Sequence, residues 1–202
     1  MLRQTGFVIL AVLVFGVAVP YTKGFDFLDP IFILAYACMS VLFVTPAATE
    51  ALSGDPQPPR PLLRMLAVWT FGWGLAILMI ASGIVAANLK HWTGHLLIPS
   101  VRLLLAALFL GGSSSLATVA VAGLLARHWS SQTAKTILRL SFLSLLLFLA
   151  VLYRFMPEQW RSTVEQNLTS SGLIHFAIWA ASTLTVAGVA ITAWILRRAK
   201  TR

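Results

Sequence analysis

The chain has 202 residues, of which 58% are hydrophobic and only 10% charged, with a formal net charge of +9; ordinary soluble domains carry about 25% charged residues. This composition excludes a soluble globular domain and predicts an all-α, polytopic integral membrane bundle with short loops in one transmembrane domain. Lys and Arg lie outside the apolar runs and form no patch interleaved with aromatics, which excludes nucleic acid as a partner and makes the positive balance an orientation signal toward the lipid bilayer.

The first apolar run, Gly6 to Val19, follows Arg3 and ends at Pro20. It is short for a span and also fits a signal peptide, with Gly16-Val17-Ala18 as the small-x-small site; the further spans that follow at once favour an uncleaved helix over 5–21. Asp29-Pro30 then gives a helix start, because Asp29 can accept from free backbone N–H groups where Pro30 needs no donor. The second span is expected over 30–48, kinked or ended by Pro46, with Thr49 to Gly54 as a last turn closed by glycine. Asp55 to Pro61, with four prolines, is expected to be extended polyproline and to act as a linker or docking strip.

The third span, 62–88, aligns Gly72, Ala76, Met79, Gly83 and Ala86 on one face. A loop follows, Lys90 to His95, with Trp92 suited to the headgroup region, and Pro99-Ser100 opens the fourth span, 101–127. At its middle stands Gly111-Gly112-Ser113-Ser114-Ser115. At 100° per residue, Ala107, Gly111, Ser114, Ser115, Thr118 and Ala122 share one face, and Leu105, Phe109 and Leu116 lie opposite. Lipid is as apolar as leucine, so small residues and hydroxyls join membrane helices; the fourth span is expected to be central, its small face turned to the third or sixth span and its large residues to lipid.

Leucine and phenylalanine dominate the fifth span, 136–156, which is expected to form the outer wall. Residues 157–168, where Trp160, Val164 and Leu168 recur every fourth position among charged residues, read as a helix on the membrane surface. Asn167-Leu168-Thr169 matches the glycosylation acceptor of a eukaryotic secretory host. The sixth span, 172–196, again has a small face: Ala177, Ala181, Thr185, Gly188 and Thr192.

Six spans place ten basic residues on one side and five on the other, so both termini are expected in the cytoplasm of a cell-membrane protein. No self-similarity relates residues 1–88 to 101–202. His91, His95 and His175 fall on the outer side with Asp26 and Asp29, but their spacing makes no local ligand set, so no metal, haem or other cofactor is expected, and outer metal or haem binding is the remote alternative. A lone cysteine, Cys38, adds no disulfide or zinc site. No catalytic motif or mid-span charge is present, which argues against an enzyme and an ion-coupled carrier. Two readings remain. One is a non-enzymatic subunit or assembly partner, with another membrane protein or a second copy as companion. The other is a small-solute transporter or channel lined by Ser114, Ser115, Thr118, Thr185 and Thr192. The candidate packing or solute-path residues are these five with Gly111 and Gly188.

Overall fold

A computed structural model describes residues 2–52, 61–90, 94–159 and 170–200, and among the described residues the regular elements are all helical. Helix α1 (Leu2–Leu13) passes through a π-helical turn, Val14–Ala18, into α2 (Val19–Lys23) and a 3-10 segment, Gly24–Leu28. Then come α3 (Pro30–Leu52), α4 (Pro61–Lys90), α5 (Val101–Leu125), α6 (Ser131–Phe155) and α7 (Ser170–Lys200). Four stretches, Ile9–Leu28, Leu62–Lys90, Val101–Leu125 and Ser171–Arg198, are long and apolar enough to cross a membrane, consistent with a membrane-embedded protein.

The helix starts follow local chemistry. Asp29 caps α3 through its carboxylate, which accepts from Ile31 N–H at 2.9 Å, and Ser100 and Ser130 accept from Leu103 and Thr133 at the starts of α5 and α6. The π turn precedes Pro20: Val19 N–H donates to Val14 O, and the widened turn accommodates a residue with no donor and a ring that crowds the preceding turn. Gly24, at φ 62°, then reverses the chain, and Phe27 enters the core completely buried. It stacks edge-on against Phe32 and Tyr36 in α3, and a Cβ on Gly83 of α4 would stand 2.5 Å from its ring.

Helix α5 is the axis of the bundle, with α3, α4 and α7 against it. The pairings Val68 with Ser115 and Gly72 with Gly112 make α4 antiparallel to α5, whereas Ser113 with Thr185 and Arg127 with Ile195 make α7 parallel to it. At one end Lys90 Nζ donates to Thr22 O at 2.6 Å, and buried Asn88 clamps the following loop by exchanging bonds with the Leu97 backbone at 2.8 and 3.0 Å. At the other, Arg127 and Arg198 lie over the Trp194 ring. Helix α6 rests mainly on α5 and leaves Leu140, Leu147, Phe148, Leu152 and Phe155 exposed, as expected of an outer wall.

The second helix passes Pro46 and continues to Leu52, within the last turn expected beyond that proline. An expectation for α5 requires correction. Leu116 does not face outward: it is buried, with Gly188 of α7 against it, because α5 is covered on several sides and not on one. Phe109 is half-buried against Trp69, while Leu105 is exposed as expected. Of the expected proline strip Asp55 to Pro61, Pro61 is not extended but opens α4, where a missing donor costs nothing, and residues 53–60, His91, Trp92 and nearly all of the expected surface helix with Asn167 lie outside the described residues.

Candidate functional site

The pentad Gly111 to Ser115 is wholly buried, and its residues diverge toward three neighbouring helices. Toward α4, the absence of side chains lets backbones meet. A Cβ on Gly72 would lie 2.5 Å from Ser115 Cβ, 2.9 Å from Gly112 Cα and 3.0 Å from Gly111 O, and a Cβ on Gly112 would collide with the Trp73 ring. Ser115 Oγ crosses the same seam to donate to Val68 O at 3.3 Å. The small face expected on the third span is therefore buried, from Gly72 through Ala76 and Met79 to Gly83 and Ala86. Its Gly72 end receives α5, while its Gly83 end receives Pro20 and Phe27.

Toward α7, Thr185 Oγ1 lies 2.8 Å from Ser113 Oγ and 2.9 Å from Ala181 O, sharing its proton between them, while Ser113 donates to Phe109 O at 2.8 Å. Below this pair, Gly188 packs on Leu116. Toward α3, Ser114 Oγ meets Cys38 Sγ at 3.4 Å, so this serine faces the second apolar segment and neither of the two expected. Thr118 donates to Ser114 O and Thr192 to Gly188 O, each within its own helix. Of the candidate hydroxyls, Ser115, Thr118, Thr185 and Thr192 thus each reach a backbone carbonyl, and Ser114 meets a thiol.

Ser113 and Asn88 were not among the sequence candidates. Ser113 stands off the one face assigned to the pentad, and it becomes visible only once α5 is recognised as having neighbours on several sides. Asn88 is a lone amide at the end of an apolar run, where an unpartnered buried amide would be costly; that was the available signal.

A cavity of about 740 Å³ adjoins this seam at Trp73 and Phe109 and lies between the first turns of α5 and α7. Arg102, Leu105, Ala106 and Phe109 line it from α5, Ser171, Ile174, His175 and Ile178 from α7, with Ser100 at one end and Trp73 of α4. Both sets are spaced i, i+3, i+4, i+7, so each helix turns one face to it. No family model, curated protein or solved structure matches the chain. The geometry alone carries the functional reading. His175 Nδ1 donates to Ser171 O at 2.8 Å, His95 sits in an exposed loop, and among the described residues no three His, Cys, Asp or Glu side chains gather as a metal site.

Proposed function

We propose that this chain is a non-enzymatic membrane bundle of six spans, both termini cytoplasmic, that works as an embedded subunit or assembly partner of a larger complex. In this reading α3 and α6 cross the bilayer beside the four stretches named above. The ten-to-five division of basic residues, with α4 antiparallel and α7 parallel to α5, supports it.

The observation that carries the assembly role is the contrast between the two faces of α7. One is closed against α5; the other is exposed, and along it Ser182, Thr183, Ala187, Ala190 and Ala193 are interspersed with Trp179, Val186 and Val189. Ser182 and Thr183 donate to carbonyls of their own helix at 2.8 and 3.0 Å, so these positions are small and self-satisfied. Small residues let membrane helices approach closely, and lipid alone gives them no such contact. The hydroxyls around α5, each already satisfied within the bundle, weigh against a solute carrier.

Disulfide trapping in native membranes tests the role. With Cys38 replaced by Ala, single cysteines at Ala190 and Ala193 should give a crosslinked species, and one at Leu147 on α6 should not. Equal trapping at Leu147, or none on α7, overturns the assignment. For topology, cysteines at Gln57 and Thr201 should be shielded from an impermeant thiol reagent in intact cells and one at Gln166 should react. The opposite pattern overturns the orientation.

A further inference from the structure

The cavity between α5 and α7 has the polarity profile of an amphiphile. Its lining begins at Ser100 and Arg102 beside Ser171 and His175, and ends among Leu105, Phe109, Ile174 and Ile178. From Arg102 to Phe109 a helix rises by about 10 Å, roughly a third of a ~30 Å hydrocarbon core. A molecule seated there keeps its polar end at the headgroup level and its tail in the apolar layer. Leu105 and Ile178 stay 52% and 45% exposed, so the cavity is open along this side and a chain can enter from the bilayer. Its volume lies within the ~300–1,000 Å³ typical of ligand sites.

The polar end is selective in sign. Among the described residues, exposed Arg102 makes no ion pair and no carboxylate lines the cavity. With Nδ1 held by Ser171 O, His175 leaves Nε2 for a ligand. Because α5 and α7 run parallel, both bring their N-terminal, positive dipole ends to this mouth, adding to the field of the arginine. We propose that the cavity binds an anionic phospholipid, its phosphate against Arg102 and His175 and one acyl chain along Leu105, Phe109, Ile174 and Ile178. The proposal requires membrane embedding but not the assembly role.

Photo-crosslinking of the full chain in vesicles tests it, with phosphatidylglycerol or phosphatidylcholine carrying the same photoactivatable acyl chain. Phosphatidylglycerol should concentrate adducts on 105–109 and 174–178 over the exposed residues of α6, and phosphatidylcholine should not. Arg102→Gln should lower the cavity adducts about fivefold, the effect of one basic residue at an anionic surface. Ile178→Trp, at a half-exposed wall where folding is undisturbed, should reduce them by obstruction while leaving labelling of α6 unchanged. Equal cavity labelling by both lipids, adducts spread evenly onto α6, or indifference to Arg102→Gln each overturns the proposal. A neutral isoprenoid occupant would give that last result.

Discussion

Gly72→Ala adds one methyl group at the tightest crossing in the bundle, and the structure sets what it meets. The new Cβ would stand 2.9 Å from Gly112 Cα and 3.0 Å from Gly111 O as well as 2.5 Å from Ser115 Cβ. Two of these obstacles are backbone and cannot rotate away, so α4 and α5 must separate. Overpacking of this kind costs about 1–3 kcal/mol, and the rigid obstacle puts the cost in the upper part of that range. Alanine returns roughly 1 kcal/mol of helix propensity over glycine, leaving a net loss of about 1–2 kcal/mol. Gly74, two residues on, is an internal control: a Cβ there meets nothing within 4 Å, so Gly74→Ala should gain the propensity term alone. The two variants should therefore differ by about 2–3 kcal/mol. At about 2–4 °C per kcal/mol for a chain of this size, their unfolding midpoints in mild detergent should lie about 4–12 °C apart, Gly72→Ala lower. Equal midpoints would mean that α4 and α5 do not meet at Gly72, and the central position of α5 would fall with that contact.

Asn88→Leu should destabilise the bundle by about 1–3 kcal/mol, because Leu97 N–H and C=O lose their partners; hydrogen exchange at Leu97 should accelerate, and unchanged protection there would refute the clamp. Ser113→Ala and Thr185→Val should each lower stability by only about 0.6 kcal/mol, the average of an interhelical hydrogen bond in a membrane. A double-mutant cycle on thermal unfolding should give a coupling of similar size, and strictly additive losses would show that the two hydroxyls do not interact.

The stripes of small residues were legible because small residues are conspicuous in an apolar run. Gly72 to Ala86 and Ala177 to Thr192 read as packing faces from their spacing, and each contributes to the buried core. Leucine carries no such signal. Leu116 and Leu105 are chemically identical, yet one is buried against Gly188 and the other faces outward, because lipid and a neighbouring helix welcome leucine equally. Assigning α5 a single buried face therefore misplaced Leu116 and passed over Ser113. Pro46 left a kink or an end open in the sequence, and the helix continues past it to Leu52 because apolar surroundings favour helix despite one missing donor. The cavity was illegible for a different reason: it depends on where two helices distant in sequence touch and where they leave a gap.

The division of α5 among its partners also fits the order in which a ribosome delivers them. Helices α3 and α4 precede α5, whereas α7 follows only after α6. At roughly 5–20 residues per second, α5 waits several seconds or more for that last partner. The surface left waiting is suited to the delay: Ser113 donates to Phe109 O in its own helix, and Leu116 is at ease against lipid tails. Within the pentad, contacts that need another helix's backbone, Ser115 to Val68 O and Gly112 beneath Gly72, belong instead to a neighbour already synthesised. Thr185 likewise arrives with a carbonyl of its own, Ala181 O, within reach. The seam completed last is thus made of two surfaces that are each chemically satisfied before they meet.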